Sequence, residues 1–159
     1  MELVIVRHGQ AGESEGGKDR DRALTAGGRR QAALIGAQIA AGGPARVVAS
    51  GYRRTRETAE RIGEALGTDV IFDSRLELGT ASEALAVVEE LRASRLARVV
   101  VVGHQPQLCA LLAVLGEGLG ARGESVPLGT GQGYRLLVPD EGVMVGACRV
   151  VEHLPARVP

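Results

Sequence analysis

The sequence predicts an α/β protein with three layers, in which an open, mainly parallel sheet carries helices on both of its faces. Two observations support this fold class. Short apolar runs, rich in valine and isoleucine, alternate along the chain with longer segments whose apolar residues recur every three or four positions. Glycine, proline and polar residues separate these segments, as they do between the strands and helices of parallel sheets.

The first half of the chain begins with a strand at Leu3–Val6, whose four apolar residues predict burial on both faces. Residues 10–22 are rich in glycine and charge and are typical of a loop. Thr25 is a suitable N-cap for a helix that reaches about Ala41. The remaining elements of this half are a strand at about 46–49, a helix at about 53–66 and a strand at 69–72.

In the second half, Thr80 and Glu83 match a capping box that begins a helix to about residue 93, with Leu85, Val88 and Leu91 inside. Residues 97–102 are the most hydrophobic run and predict a central strand. An apolar helix at 108–115 should be buried on nearly all sides. After a glycine-rich loop at 118–133, strands at 134–138 and 143–151 are predicted to form a hairpin, joined by a turn at 139–142.

Arg7-His8-Gly9 follows the first strand, at a point where open α/β sheets bind their ligands. These residue types suit phosphoryl transfer. A neutral imidazole can attack phosphorus, a guanidinium binds phosphate oxygens as a fork, and glycine admits close approach. A structural or incidental role for such a tripeptide is the alternative, so the interpretation depends on other motifs.

Two further segments carry polar residues directly after a predicted strand, as expected for the same phosphoryl-transfer site. The second strand leads into Ser50-Gly51-Tyr52-Arg53-Arg54, and Thr58 lies one helical turn further on. The strand at 97–102 leads into Gly103-His104. Arg54 lies in the first turn of a predicted helix, where the helix dipole disfavours a cation. An anion bound there would explain it, whereas the alternative is a solvated arginine among several neighbours.

With these motifs the chain resembles the histidine phosphatase superfamily, also called the phosphoglycerate-mutase-like family. Leu24-Thr25-Ala26-Gly27-Gly28 resembles the family's Leu-Thr-x-x-Gly helix start. Gly51 and Glu57 depart from the family's second motif, in which proline and glutamine are usual. The resemblance extends from Met1 to about Leu115. It implies a phosphoglycerate-mutase-like fold and a phosphatase that works through a phosphohistidine intermediate. The length of 159 residues predicts a single domain over residues 1–159.

The resemblance also implies roles for particular residues. His8 is the expected nucleophile, attacking through one ring nitrogen while a backbone carbonyl holds the other. Arg7 and Arg54 should bind the phosphate and lower the pKa of His8, and a protonated His104 should stabilise the transferring group. The expected substrate-binding groups are Arg7, Gly9, Gln10, Arg54 and His104.

Glu77 is the candidate proton donor, because family members that cleave alkyl phosphates carry a glutamate in a similar segment. An ordinary surface or structural glutamate is the alternative. The segment from Glu77 to His104 is short, which suggests an uncovered pocket suited to phosphate on a protein surface. The closest resemblance is to SixA-type phosphohistidine phosphatases. The alternatives are a small-molecule phosphomonoesterase and, from a different class, a non-catalytic phosphate-binding or scaffold protein.

Composition limits the remaining possibilities. The 159 residues carry nineteen basic and nineteen acidic side chains, and this balance argues against nucleic-acid or membrane-surface partners. No third histidine or cysteine pair has the spacing of a metal site, and no glycine-rich loop matches a nucleotide-binding fingerprint. We therefore expect no metal and no cofactor. Without a recognisable signal peptide or a long apolar segment, we expect a cytoplasmic protein.

Overall fold

The computed structural model describes residues 1–119 and 126–156. Within them, strands and helices alternate along most of the chain. Short 3-10 helices occur at Asp19–Asp21 and Ser74–Leu76. The elements are β1 (Glu2–Arg7), α1 (Ala26–Ala41), β2 (Arg46–Ala49), α2 (Arg53–Leu66), β3 (Val70–Phe72), α3 (Ala81–Ala93), β4 (Arg98–Gly103), α4 (Gln107–Leu115), β5 (Gly133–Leu137) and β6 (Arg149–Leu154).

The six strands of the described chain form one sheet in the order β3-β2-β4-β1-β5-β6. The first four are parallel, whereas β5 runs antiparallel to β1 and β6 antiparallel to β5. Arg7 at the end of β1 is in register with Gly103 at the end of β4. The carboxyl ends of β1, β2 and β4 therefore meet at one edge, where parallel sheets bind ligands.

Apolar side chains from β1 alternate between two cores, one on each face of the sheet. Leu3 and Ile5 join the core beneath α3 and α4, and Val4 and Val6 join the core beneath α1 and α2. The predicted three-layer fold is confirmed. The helix starts are also as predicted, because Thr25 accepts a hydrogen bond from the backbone of α1 and Thr80 begins α3 with a capping box.

The predicted burial of α3 and α4 needs correction. In α3 the buried residues are Ala84, Val87 and Val88, while Leu85 and Leu91 are only partly buried at the margin of the core. The buried stripe is therefore rotated relative to the one predicted, with smaller side chains closest to the sheet. In α4 the leucines face the core, but Ala110 is exposed, so the helix is not buried on all sides.

The final hairpin differs from the prediction in its second strand. β6 begins at Arg149 rather than residue 143, and Met144 and Val145 are exposed. The backbone of Ala147 bonds back to Met144, and Gly146 has a φ of 70°, so this segment turns instead of extending. The antiparallel pairing of β5 with β6 is as predicted. Part of the predicted loop at 118–133 lies outside the described residues. None of the described helices is long and apolar enough to cross a membrane.

Candidate active site

Three motifs that are far apart in sequence meet at the carboxyl edge of the sheet. His8 follows β1, Arg54 lies in the first turn of α2 and His104 follows β4. The imidazole rings of His8 and His104 are 5.4 Å apart between centroids. Arg54 Nε donates to His8 Nε2 at 3.3 Å. The residues are 8%, 5% and 1% exposed, so a polar cluster lies in a largely buried setting.

The environment of His8 favours a neutral ring with one defined tautomer. His8 Nδ1 lies 2.7 Å from the carbonyl oxygen of Gly9, which can only accept, so Nδ1 carries the proton. Nε2 therefore keeps its lone pair, directed towards Arg54. Burial, with smaller effects of Arg54 and Arg7, lowers the pKa of His8 to about 4. The predicted lowering of this pKa is confirmed, although burial contributes more to it than the arginines.

The surroundings of His104 also favour the neutral form. Burial and the charge of Arg54 lower the pKa of His104 to about 3. The predicted imidazolium is therefore not the state that these surroundings favour, whereas the negative charge of a phosphate would act in the opposite direction. His104 Nε2 lies 2.8 Å from Ser50 Oγ, which accepts from the backbone N–H of Tyr52. The Ser50 hydroxyl can thus donate to Nε2, and Nδ1 then carries the imidazole proton.

Two buried nitrogens in this region have no hydrogen-bond partner within the described residues. They are His104 Nδ1 and Arg7 Nε. Arg7 is oriented by its Nη1, which donates to the carbonyl oxygen of Leu128 at 3.1 Å. A buried donor without a partner costs free energy. Together with the Arg54 guanidinium, these two nitrogens therefore suit a ligand that accepts hydrogen bonds.

Gly9 and Gln10 are engaged elsewhere. The backbone N–H of Gly9 donates to Thr58 Oγ1 at 3.0 Å. A Cβ on Gly9 would lie 2.6 Å from the carbonyl oxygen of Gly28. Glycine at this position therefore lets the chain pack closely against α1. The backbone N–H of Gln10 donates to Gln31 at 2.8 Å. Both backbone N–H groups therefore already have partners, and Gly9 contacts the His8 ring only through its carbonyl oxygen, among the described hydrogen bonds.

Glu77 lies at the margin of the cluster. Its two carboxylate oxygens accept from Arg20 at 3.1 and 3.3 Å, and the Arg20 guanidinium lies 4.9 Å from the centre of the Tyr52 ring. A Cβ on Gly51 would lie 2.7 Å from a Glu77 oxygen. Glycine at the position where the family usually has proline thus makes room for this ion pair. Within the described residues, no hydrogen bond joins Glu77 to His8 or His104.

The sequence interpretation missed Asp19. Arg54 Nη1 donates to the Asp19 carbonyl oxygen at 2.9 Å, and Nη2 donates to its carboxylate at 3.1 Å. The helix-dipole argument called for an anion near Arg54, and the carboxylate of Asp19 is one. The sequence did not single out Asp19, because residues 18–22 have the charge-rich pattern of a solvated loop. These residues are called the strap below.

No group of described residues is suited to hold a metal ion.

Comparison with known proteins agrees with this geometry. The model of the histidine phosphatase superfamily (branch 1) matches residues 3–77. The matched residues, just under half of the chain, are thus similar to this superfamily. The probable phosphoglycerate mutase GpmB of Salmonella paratyphi C is 37% identical over 79 residues, and the match covers 48% of this chain and 37% of that relative. The aligned region thus spans little more than a third of the curated relatives' length.

Among solved structures, the protein histidine phosphatase SixA complexed with tungstate has a TM-score of 0.81 at 23% identity, covering 96% of both chains. The putative SixA of Nakamurella multipartitia has a TM-score of 0.76 at 27% identity, covering 96% of this chain and 94% of its own. A mycobacterial glucosyl-3-phosphoglycerate phosphatase has a TM-score of 0.73 at 22% identity, covering 94% and 96%. Nearly the whole described chain therefore shares this fold.

Proposed function

We propose that the protein is a histidine-type phosphatase that transfers a phosphoryl group to His8 Nε2 and then to water. The observation that carries this proposal is the state of His8. Its Nδ1–H donates to the Gly9 carbonyl, its Nε2 is unprotonated and faces Arg54, and its pKa of about 4 keeps the ring neutral near pH 7. Arg54 lies against the attacking nitrogen, where the phosphate would bind.

In the first step, the Nε2 lone pair forms a bond to phosphorus while the bond to the leaving group breaks. The imidazole becomes cationic, and its Nδ1–H donation to the Gly9 carbonyl stabilises that charge. Arg7 and Arg54 would bind the phosphoryl oxygens, and His104 would donate through Nδ1. In the second step, water attacks phosphorus, the P–N bond breaks, and neutral His8 is regenerated.

The substrate class that we propose is phosphohistidine on a protein. An alkoxide is a poor leaving group and needs a proton from the enzyme, whereas a phosphohistidine ring can carry its own proton and leave as neutral imidazole. Glu77, the candidate donor, is paired with Arg20. Only α3 and β4 lie between Glu77 and His104, so the chain has no long insertion there to cover a small substrate.

A small-molecule phosphomonoesterase is the second candidate. The relatives named as probable phosphoglycerate mutases and the neighbour named as a glucosyl-3-phosphoglycerate phosphatase favour it. In that case Glu77 would have to leave Arg20 and protonate the leaving oxygen. A third possibility, a phosphate-binding protein without turnover, would make no covalent adduct.

Rapid quenching with a radiolabelled phosphohistidine protein tests the reaction. We expect an acid-labile, alkali-stable adduct in the wild type and in His153→Gln, because His153 is exposed on β6. His8→Ala should form none. An adduct that survives in His8→Ala would assign the nucleophile elsewhere. Tungstate binding without adduct or turnover would support the non-catalytic alternative.

Substrate preference is tested by comparing kcat/KM for phosphohistidine with a panel of alkyl and aryl phosphates. We expect phosphohistidine to be preferred and Glu77→Gln to have little effect on it. If a sugar or glycerate phosphate is strongly preferred and Glu77→Gln abolishes its cleavage, the small-molecule function replaces the proposed one.

A further inference from the structure

All three nitrogens of the Arg54 guanidinium have a described hydrogen-bond partner, and the partners divide into two groups. Nη1 and Nη2 donate to the carbonyl oxygen and the carboxylate of Asp19, at 2.9 and 3.1 Å. Nε donates to His8 Nε2 at 3.3 Å. A guanidinium offers two flat forks, one formed by Nη1 with Nη2 and the other by Nε with an Nη. Asp19 occupies the first and leaves Nε facing His8.

We propose that Asp19 is a positioning residue, which fixes the Arg54 guanidinium so that its Nε edge faces the phosphoryl group on His8. This inference rests on the proposed function. Arginine has many rotamers, and a fork held at its outer end cannot rotate away from the nucleophile. Once phosphorus bonds to His8 Nε2, that nitrogen can no longer accept from Arg54 Nε. The Nε hydrogen and the second hydrogen of one Nη can then donate to two phosphate oxygens.

The contacts of Asp19 distinguish an anchor from a carboxylate that merely fills the phosphate site. One of the two hydrogen bonds that Arg54 donates to Asp19 is accepted by the backbone carbonyl, which a phosphate cannot replace without moving the strap. The carboxylate is also held from its other side, because Arg22 Nη1 donates to Oδ1 at 3.1 Å. Arg22 in turn donates through Nε to the carbonyl oxygen of Gly12 at 2.8 Å, tying the strap to the loop after β1.

The charge of Asp19 fits the same role. Hydrogen bonds from Arg22 and Arg54 hold the pKa of the Asp19 carboxyl below its usual range, so it stays ionised near pH 7. Its side chain is 52% exposed, so its replacement should not unfold the protein. The effect of a substitution at Asp19 should therefore pass through Arg54.

A double-mutant cycle tests this coupling, with orthovanadate affinity by calorimetry and kcat and KM for an aryl phosphate as readouts. Asp19→Ala should lower kcat/KM by about 10- to 100-fold, the cost of a misplaced binding group, and weaken vanadate binding. Asp19→Asn keeps an oxygen acceptor and should lose less. In an Arg54→Lys background, Asp19→Ala should have less than about a twofold further effect, because lysine has no fork to hold.

Asp21→Asn is the matched control, since Asp21 is an exposed carboxylate of the same 3-10 turn and should leave both readouts unchanged. Tighter vanadate binding by Asp19→Ala would mean that Asp19 competes with phosphate, and the proposal would be wrong. Equal losses in the wild-type and Arg54→Lys backgrounds would also overturn it, because Asp19 would then act independently of Arg54. If the wild type binds vanadate without turnover, the proposed function fails while the binding cycle still tests Asp19.

Discussion

Acidification tests the state of the proposed nucleophile. With a pKa of about 4, the neutral form of His8 exceeds the protonated form by about 30 to 1 at pH 5.5. A histidine with the ordinary pKa of about 6.5 would instead be about tenfold more protonated than neutral at that pH. The difference arises because the ring is only 8% exposed and lies beside the Arg54 guanidinium, both of which disfavour imidazolium.

Nitrogen-15 NMR of the imidazole side chains in phosphate-free buffer measures this directly. Rate measurements would be ambiguous, because the second pKa of a phosphate group lies near 6 and the substrate itself titrates. His8→Gln assigns the resonances, and we expect His8 to keep its Nδ1-protonated neutral tautomer from pH 7 to 5.5. A titration midpoint near 6.5 in the wild type would refute the reasoning.

A matched variant separates the two causes. Arg54→Met keeps much of the side-chain volume and removes the charge, so the pKa of His8 should rise. It should remain below 6.5, because burial is the larger cause. A return to 6.5 would assign the whole effect to the arginine.

The same lowered pKa should make stability depend on pH. Because the unfolded chain binds a proton at His8 more readily than the folded chain, the free energy of unfolding should fall as the pH drops from about 6.5 towards 4. A pKa of about 4 in place of the ordinary 6.5 corresponds to on the order of 3 kcal/mol in the free energy of unfolding for His8 alone.

Three substitutions test the packing around the site. Gly9→Ala brings a Cβ within 2.6 Å of the Gly28 backbone, so urea unfolding should show a loss of about 1–3 kcal/mol. Gly51→Ala meets the flexible end of Glu77 at 2.7 Å, so a crystal structure should show that carboxylate displaced while the melting temperature changes little. Thr80→Ala removes the capping box of α3 and should cost about 1 kcal/mol in urea unfolding.

Matched controls accompany these variants. Gly12→Ala adds a Cβ whose nearest neighbour, a methyl group of Thr25, is 3.7 Å away, and it should not reproduce the loss at Gly9. Ser82→Ala lies at an exposed position in the first turn of α3 and should leave stability nearly unchanged. A loss at either control equal to that of its partner would contradict the assigned contacts.

The sequence by itself determined most of the fold and the membership of the central cluster. Thr25 and Thr80 defined helix starts through local capping chemistry, and the valine-rich runs defined the parallel strands, because these signals involve neighbours in sequence. Parallel strands also deliver their carboxyl ends to one edge, so Arg7, His8 and His104 could be expected to meet. The second strand of the hairpin was misjudged because its apolar run continues into a turn at Gly146.

Only the tertiary structure decided which polar groups are paired and which are free. Gly9 and Gln10 were expected to bind substrate, but their backbone N–H groups donate to Thr58 of α2 and Gln31 of α1. Asp19 lies 35 residues from Arg54 and Leu128 lies 121 residues from Arg7, yet each orients its partner's guanidinium. Sequence patterns report spacing along one element. These contacts depend instead on how a loop folds back over the edge of the sheet. The burial that keeps both imidazoles neutral depends on the same tertiary arrangement.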